Sequence, residues 1–292
     1  MSTPSSVVID GIRCFAPRLA ESCQDYPAEI YSALVRIEEE HFWFRSRNAV
    51  IRQLVTKYLS GGGVRHFLEI GCGTGYVLKM LAAIRGLKCI GAEIRLQGAH
   101  IAKNRVPAAE IIQLDACQIP FEATFDAVGA FDVIEHVETD EQVIQNVHRA
   151  LKDGGYFFLT VPQHPFLWSY QDDFAGHKRR YTRSELLIKL ARNGFRIEYV
   201  GSFCCTVFPF MLLSRLTKST RASTKDKVAE VLAEFNIFRP LNSLLRLLMR
   251  LDETVIRYGG SLPFGGSLVA VGRKCKAREN GRCDFRKRPG TP

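Results

Sequence analysis

The chain of 292 residues is 46% hydrophobic and 24% charged, which is typical of a globular protein with one domain and some additions. Its formal charge of +10 lies beyond residue 200, because residues 1–200 carry 23 basic and 23 acidic side chains. A neutral first two thirds and the lack of a nucleic-acid-binding motif argue against nucleic acid as a partner.

The nine cysteines include neither a C-x-x-C pair nor a His/Cys cluster at zinc spacing. We therefore expect no metal site and a reduced, cytoplasmic setting. Residues 1–17 have neither a basic start nor a long apolar run, so no secretory signal is expected there.

The first 60 residues are predicted to form a helical cap. Residues 37–47 join an acidic helical stretch to a dense aromatic cluster, and residues 49–59 continue with apolar side chains at helical spacing. Such a cap can pack against the edge of a sheet or close over a ligand, and both alternatives stay open.

A hydrophobic strand at residues 67–70 runs into Gly71, Gly73 and Gly75, and a helix-like stretch follows. Glycine lets the backbone approach a ligand closely, and a helix start offers free N–H groups, so the sequence predicts a nucleotide cradle. The spacing is G-x-G-x-G, whereas a dinucleotide fingerprint reads G-x-G-x-x-G. The carboxylate of Glu69, just before the loop, would repel a phosphate but can hold an ammonium group.

Three further strand-like runs follow at intervals typical of an α/β fold. Residues 89–93 end in Glu93, residues 111–116 carry Asp115 near their end, and residues 125–137 end in D-V-I-E-H-V. An acid about 20 residues after a glycine loop suits a carboxylate bonded to both ribose hydroxyls of a nucleoside. Each acid can instead cap a helix or lie at a solvated strand end.

In this order, the four motifs resemble those of the class I S-adenosylmethionine-dependent methyltransferases, and in particular the small-molecule branch of ubiquinone-biosynthesis type. The resemblance covers roughly residues 40–200 and a last strand near residues 267–273. It implies an α/β fold with a Rossmann-like, seven-stranded, mostly parallel sheet and an antiparallel last strand. It also implies S-adenosyl-L-methionine as the cofactor and S-adenosyl-L-homocysteine as the product.

The resemblance also assigns residues to the cofactor. The pattern E-x-x-H-F-W-F-x-x-R at residues 38–47 is similar to a cap in which an aromatic side chain and an arginine close over the methionine end. The alternative role of these two side chains is packing within the protein. The predicted cofactor-binding residues are Trp43, Arg47, Glu69, Gly71, Cys72, Gly73, Gly75, Glu93, Ile94, Asp115, Ala116 and Phe131.

The strongest substrate signal follows the fifth strand. A turn at residues 152–155 leads into an apolar run, and a polar and aromatic segment follows at residues 163–182. Open α/β sheets bind ligands at the carboxyl ends of their strands, so this segment is expected to border the acceptor. Its G-H-x-R-R-Y-T stretch resembles one in bacterial methyltransferases of the same branch. The predicted substrate-binding residues are His164, Trp168, Tyr170, His177, Arg179, Arg180 and Tyr181.

Arg179 and Arg180 have two alternative parts. They can grip a carboxylate or phosphate of the acceptor through bidentate pairing, or they can pair with Asp172 and Asp173 and hold the loop. The residues alone leave both alternatives open.

Methyl transfer from a sulfonium requires an aligned acceptor and, for a hydroxyl acceptor, removal of a proton. His136 is the predicted catalytic base, because it follows the fourth strand where the family commonly keeps Glu-His facing the active site, and imidazole titrates near neutral pH. The alternative is that His136 only hydrogen-bonds the cofactor loop or caps the next helix. His164 and His177 are the reserve candidates.

More than 60 residues separate the sixth strand, residues 195–202, from the last strand, which is too long for a plain connection. The insert is predicted to be helical, and it can serve as a lid over the acceptor, a homodimer contact or a membrane-surface helix. The predicted apolar face of its last helix consists of Leu241, Leu244, Leu245, Leu248, Leu251 and Val255.

The sequence thus predicts a methyltransferase acting on a small-molecule or lipid-linked acceptor, with peripheral contact to the inner membrane surface left open. Two alternatives remain: a nicotinamide-dependent oxidoreductase, and a module that binds S-adenosylmethionine without turnover. The predicted segments are a helical cap (1–60), a cofactor-binding core (61–202), a helical insert (203–260), the final strand (261–274) and a basic tail (275–292).

Overall fold

The computed structural model describes residues 5–22, 28–61, 63–217, 235 and 237–275. Nine strands within these residues form one sheet. They are β1 (Val7–Ile9), β2 (Ile12–Cys14), β3 (Arg65–Ile70), β4 (Leu87–Glu93), β5 (Glu110–Gln113), β6 (Phe125–Phe131), β7 (Leu151–Pro162), β8 (Phe195–Phe203) and β9 (Ser267–Lys274). Their order across the sheet is β1-β2-β5-β4-β3-β6-β7-β9-β8.

Helices cover both faces of this sheet. They are α1 (Pro17–Ser22), α2 (Ala28–Glu40), α3 (Phe42–Leu59), α4 (Tyr76–Ala82), α5 (Leu96–Arg105), α6 (Asp140–Ala150), α7 (Tyr170–Ala175), α8 (Arg183–Arg192), α9 (Phe208–Thr217) and α10 (Arg239–Arg257). Successive side chains of a strand point to opposite faces, and Phe67 and Leu68 of β3 belong to two separate hydrophobic clusters. Helices α3, α4, α5 and α10 contribute to the cluster of Phe67, whereas α6 and α8 contribute to that of Leu68.

The central strands β5, β4, β3, β6 and β7 are parallel, and β9 lies antiparallel between β7 and β8. This confirms the predicted α/β class, a Rossmann-like, mostly parallel sheet of seven strands with an antiparallel last strand. Parallel strands end at the same edge of a sheet, so the segments that follow β3, β4, β5, β6 and β7 converge there.

A hairpin of β1 and β2 extends the sheet beyond these seven strands. The prediction placed only helices in residues 1–60, whereas Arg13 and Cys14 pair in parallel with Ile112 and Gln113 of β5. Asp10 and Gly11 form the hairpin turn, both with positive φ. An Asp-Gly pair between apolar residues is a strong hairpin signal, and the sequence analysis did not use it.

The predicted turn at residues 152–155 is a wide bulge inside β7. Leu151 pairs with Phe125 and Tyr156 pairs with Ala127, so the residues between them on β7 loop out of the ladder. Gly154 permits this because its φ is +75°.

Helix α10 packs against α3, but not through the whole apolar face that was predicted. Its buried side chains are Leu245, Met249, Asp252, Glu253 and Ile256. Of the predicted face, Leu245 alone is fully buried, Leu248 is half-buried, and the others are exposed. Most of the predicted apolar face therefore lies away from the core, and its use as a lid, a dimer contact or a membrane surface stays a prediction.

Polar contacts fix α10 against the start of α3. The Phe42 N–H donates to Asn242 Oδ1 at 2.9 Å, and Asn242 Nδ2 donates to the Glu40 carbonyl at 2.9 Å. Arg246 pairs with Glu253 on its own helix and donates to Ser46 Oγ at 3.2 Å. The C-terminal helix is thereby held to the helix that carries the predicted cap residues.

Part of the predicted insert, residues 218–234, and the basic tail after residue 275 lie outside the described residues. No helix in the part that the structure describes combines the length and the apolar character needed to cross a bilayer.

Candidate active site

The loop after β3 turns on three glycines, with φ of +66° at Gly71, +54° at Gly73 and +80° at Gly75. An added Cβ at Gly71 would lie 2.6 Å from Val133 Cγ2, and one at Gly75 would lie 3.1 Å from the Ala102 backbone. At Gly73 it would meet no atom within 4 Å. Gly71 and Gly75 therefore allow tight packing, whereas Gly73 faces an open space of the kind that a bound nucleotide needs.

Glu93, at the end of β4, ties this loop to the neighbouring strand. The Gly73 N–H donates to Glu93 Oε2 at 2.8 Å, and the Arg95 N–H donates to Oε1 at 3.2 Å. Burial raises the pKa of Glu93, and these two hydrogen bonds oppose the rise. Each carboxylate oxygen keeps a further lone pair, so Glu93 can accept from a ribose hydroxyl and hold the loop at the same time.

Glu69 lies under the loop with its side chain buried. Its Oε2 has no hydrogen-bond partner among the described residues. Burial raises the pKa of Glu69 well above its usual value, and Arg47 opposes the rise. A buried carboxylate oxygen without a partner is costly, and beside an open cradle it fits a cationic group of a ligand.

Arg47, on the first turns of α3, reaches the carboxyl end of β6, and Trp43 packs against it. The Arg47 guanidinium lies 4.8 Å from the Trp43 ring centroid and pairs with Asp132. Asp132 directly follows β6 and has φ +56°, which is unusual for a residue other than glycine. The two predicted cap residues therefore lie where the loops after β3 and β6 meet.

The other predicted cofactor residues lie along the same edge of the sheet. Asp115 caps a short 3-10 helix, because the Cys117 N–H donates to Asp115 Oδ1 at 2.8 Å. Ala116 begins that helix, and the Ile94 carbonyl accepts a hydrogen bond from Gln113 at 3.0 Å. Cys72 and Phe131 are buried. The contacts of all these residues with a cofactor stay predictions.

A network that the sequence analysis missed supports the glycine loop. The Thr74 hydroxyl donates to Glu38 of α2, and Arg105 of α5 donates to Glu38 at 2.7 Å and to Thr74 at 2.9 Å. Glu38 is the first letter of the cap pattern, so its spacing from the aromatic cluster was the available signal. Arg105, in contrast, belongs to no sequence motif, so no signal indicated its role.

His136 and His177 face each other beyond β6. Their ring centroids lie 4.7 Å apart at an interplanar angle of 77°. Burial and, to a smaller extent, the neighbouring His177 lower the pKa of His136 to about 4, although the residue keeps exposed surface. His177 Nδ1 lies 2.8 Å from Asp172 Oδ1, so this carboxylate orients the second ring.

Glu135 completes a cluster with these two histidines. Glu135, His136 and His177 each place one possible ligand atom within 4.8 Å of the others. Glu135 is fully buried, and neither of its carboxylate oxygens has a hydrogen-bond partner among the described residues. Burial raises the pKa of Glu135 well above its usual value, and Asp132 raises it further. A cation would fit this cluster, although the sequence analysis expected no metal site.

The predicted acceptor segment is held in place by its own charged residues. Arg180 is buried and donates through Nε to Asp172 Oδ1 at 2.8 Å and through Nη1 to the Gln163 carbonyl at 3.1 Å. Of the two alternatives for the arginine pair, Arg180 therefore shows the loop-holding one. Arg179 pairs with Asp140 rather than with the expected aspartates, at 3.0 Å.

Tyr181 was also predicted to contact the acceptor, but its side chain is fully buried and its hydroxyl donates to Asp140 Oδ2 at 2.7 Å. Arg180 and Tyr181 therefore position the segment of residues 163–182 instead of contacting the acceptor. Sequence reasoning could not distinguish these parts, because Asp140 and Asp172 become partners only when the segment folds back on α6 and α7.

Three predicted substrate residues keep side-chain surface near this segment. His164 has φ +64°, and its buried Nε2 has no hydrogen-bond partner within the described ranges. Trp168 is exposed and donates through Nε1 to Asp173 at 3.0 Å. Tyr170 begins α7. Their contacts with an acceptor stay predictions.

Known proteins share sequence and fold with this chain. Residues 68–159 match the family model described as a methyltransferase domain. A Mycolicibacterium smegmatis protein named "probable S-adenosylmethionine-dependent methyltransferase" is 29% identical over 165 residues, which cover 56% of this chain and 62% of that protein. A ubiquinone biosynthesis O-methyltransferase of Nitrosomonas europaea is 27% identical, over 40% of this chain and 52% of that protein. The chain thus spans less than two thirds of either relative.

Solved structures share the fold at low sequence identity. Phosphoethanolamine N-methyltransferase 2 of Haemonchus contortus, in complex with S-adenosyl-L-methionine, has a TM-score of 0.59 and 17% identity, covering 88% of this chain and 60% of that chain. The [4+2]-cyclase SpnF has a TM-score of 0.53 and 19% identity, covering 78% of this chain and 81% of that chain. At such identities these structures show the fold, which also supports other chemistry. Residues 68–159 thus match a methyltransferase domain, within a fold that solved methyltransferases share.

Proposed function

We propose that the protein is an S-adenosylmethionine-dependent methyltransferase. The observation that carries the proposal is the open cradle at Gly73, which lies beside a buried Glu69 carboxylate that lacks a partner for Oε2. A nucleoside that bears an ammonium group satisfies both features, whereas the phosphates of a dinucleotide would face a carboxylate. The G-x-G-x-G spacing and the methyltransferase relatives support the same cofactor.

The chain's own residues bind and orient this cofactor. In this proposal Glu69 holds its ammonium group, Glu93 its ribose, and Asp115 its adenine, while Trp43 and Arg47 close over its methionine end. When bound, S-adenosylmethionine supplies an electrophilic methyl group on a sulfonium. The Arg47 to Asp132 pair lies next to the cradle, so its rearrangement would couple cofactor binding to the loop after β6.

We further propose a small-molecule or lipid-like acceptor. His136, His164, Trp168 and His177 keep surface beyond the carboxyl ends of β6 and β7, which is where open α/β sheets bind ligands. Among the relatives, the Nitrosomonas europaea protein is named for ubiquinone biosynthesis and a 26% identical Chlorobaculum tepidum protein is a demethylmenaquinone methyltransferase. These names favour an amphiphilic, oxygen-bearing ring.

A membrane surface is the proposed place of this acceptor. Helix α10 exposes an apolar row, and the exposed charged residues near it include Arg250 and Arg257. Phe210, on α9, is also exposed. Cationic side chains beside an apolar face favour an anionic lipid surface. The row consists of Leu241, Leu244, Leu247, Leu251 and Val255.

The test is to incubate the purified chain with methyl-labelled S-adenosylmethionine and a lipid extract or a water-soluble extract of cells. Mass spectrometry should find a labelled product and an equal amount of S-adenosylhomocysteine. Gly73→Val should form neither, because its branched side chain enters the cradle. Tight binding of S-adenosylmethionine without turnover in any extract would instead favour a binding module, and label only in the water-soluble extract would remove the lipid proposal.

A further inference from the structure

The cluster of Glu135, His136 and His177 is not needed to hold the proposed cofactor. It lies beyond the end of β6, and its ligand atoms come within 4.8 Å of one another. The Lys178 N–H donates to the Glu135 carbonyl at 2.7 Å, so the two chain segments that supply the cluster are fixed to each other. The arrangement is therefore part of the fold and not a chance meeting of long surface side chains.

The burial of Glu135 needs an explanation. A buried carboxylate with no hydrogen bond to either oxygen is strongly unfavourable unless a proton or a cation neutralises it. Arg180 and Arg47 are the nearby cations, but they pair with Asp172 and Asp132. Each of two imidazoles, His136 and His177, places a possible ligand atom within 4.8 Å of a Glu135 oxygen.

The orientation of His177 is also typical of a metal ligand. Its Nδ1 contacts Asp172, and Asp172 is itself held by Arg180. Metal-binding histidines commonly use one ring nitrogen for such a carboxylate and the other for the metal. Nε2 is consequently the nitrogen of His177 that is available to a ligand.

We propose that Glu135, His136 and His177 bind a divalent transition-metal cation. One carboxylate and two imidazoles are a donor set that suits first-row cations, and three protein ligands leave coordination positions open for water or for an acceptor. The spacing of cysteines and histidines in the sequence could not reveal this set, because it combines a Glu-His pair with a histidine from a later loop.

The cation gives the acceptor a defined chemistry, and this part of the inference rests on the proposed function. A hydroxyl oxygen coordinated to a cation has a lowered pKa, so its proton can leave to solvent without a protein base. His136 then acts as a ligand and not as the base that the sequence predicts. The favoured acceptor class is a compound with a hydroxyl next to a second oxygen, because two open positions can bind both.

The test uses the full chain after chelator treatment and Mn²⁺ as the probe, followed by the loss of the free Mn²⁺ spin-resonance signal. Carboxylate and imidazole bind Mn²⁺, whereas thiols favour softer cations, so the cysteines do not interfere. The wild-type chain should bind one Mn²⁺. Glu135→Gln and His177→Asn should each weaken that binding at least about tenfold, and His100→Asn, a half-buried histidine on α5 outside the cluster, should not change it.

S-adenosylhomocysteine binding by the same variants, measured by calorimetry, shows that they are folded and separates the two proposals. Unchanged Mn²⁺ affinity in both cluster variants that still bind S-adenosylhomocysteine would overturn the metal site and leave the methyltransferase proposal intact. If Glu135→Gln does not fold, His177→Asn decides alone. Mn²⁺ binding that depends on the cluster, in a chain that binds no S-adenosylhomocysteine, would refute the methyltransferase and retain the metal site.

Discussion

His136 and His177 show how much depends on single side chains at the end of β6. Their rings lie 4.7 Å apart, and His177 is oriented by Asp172. A base and a metal ligand at position 136 both contribute to the reaction but act on different partners. Activity alone therefore cannot distinguish these two parts.

We predict that His136→Ala lowers turnover by roughly 10²-fold or more while affinity for S-adenosylhomocysteine hardly changes. The reason is that His136 follows β6, whereas the glycine loop and Glu69 belong to the end of β3. Turnover and calorimetry check the two effects. The Mn²⁺ titration of this variant then distinguishes a base from a metal ligand, because the variant loses metal affinity only if His136 is a ligand. Unchanged turnover would show that His136 is neither the base nor a metal ligand that the reaction needs, and His164 would become the candidate base.

Asp140 is the residue on which the acceptor segment is fixed to α6. Tyr181 and Lys189 donate to its Oδ2, and Arg179 pairs with its Oδ1. Burial alone would raise the pKa of Asp140. The hydrogen bonds from Lys189 and Tyr181 outweigh this effect, so the pKa lies below its usual value. Such a group stabilises the fold above its unfolded pKa of about 3.9 and loses this effect as the pH falls through the folded value.

Asp140→Asn should therefore reduce the free energy of unfolding at pH 7 by about 3 kcal/mol, because it leaves the half-buried Arg179 and Lys189 without the charge of their buried partner. The difference from the wild-type chain should shrink as the pH falls below about 4. Urea unfolding at pH 7 and near pH 3.5 measures both quantities. A difference that stays constant with pH would show that the carboxylate charge is not the cause.

At the scale of elements, the contact of α10 with α3 brings the C-terminal part of the described chain to the cofactor cap. Met249 is fully buried on α10, whereas Leu247 is exposed. Met249→Ala should destabilise the protein by about 2–5 kcal/mol through lost burial and a cavity. Leu247→Ala, a matched control on the same helix, should stay within about 0.5 kcal/mol. Equal losses in thermal or urea unfolding would contradict the packing described.

The elements also show what the sequence could predict. Local signals in the sequence predicted the parallel sheet and the glycine loop. Strand periodicity and the need for glycine at positive φ can both be recognised within a few consecutive residues. The hairpin of β1 and β2 carried such a signal at Asp10 and Gly11, which was not used. On α10, apolar residues occur on more than one side, so periodicity could not show that Leu245 and Met249 meet α3. The Glu135 cluster arises only from tertiary folding, whereas the Asp172 to Arg180 pair was one of two alternatives that the residues left open.

At the scale of the whole molecule, charge and exposed apolar surface lie in the same part of the chain. The excess of basic residues falls beyond residue 200, and the row of leucines on α10 is exposed. We predict that the protein sediments with anionic vesicles at low salt and much less at high salt or with neutral vesicles. Each basic residue near the surface contributes about 1 kcal/mol, which salt screens.

The matched variants place glutamate on two different exposed apolar surfaces. Leu247→Glu should reduce vesicle binding, because a charge on the apolar face opposes insertion. Ile188→Glu, on the exposed side of α8, should not reduce it. Failure to bind anionic vesicles at low salt would leave α10 as a lid or dimer surface and would move the acceptor toward a water-soluble compound.

The central claim is that the loop of Gly71, Gly73 and Gly75 binds an S-adenosyl nucleoside, and calorimetry with S-adenosylhomocysteine and NAD tests it most directly. The wild-type chain should bind S-adenosylhomocysteine more tightly than NAD. Gly73→Val should weaken this binding at least about tenfold. Gly63→Val should not weaken it, although Gly63 also has positive φ and open space at its Cβ position. Tighter binding of NAD, or equal effects of the two substitutions, would contradict the account.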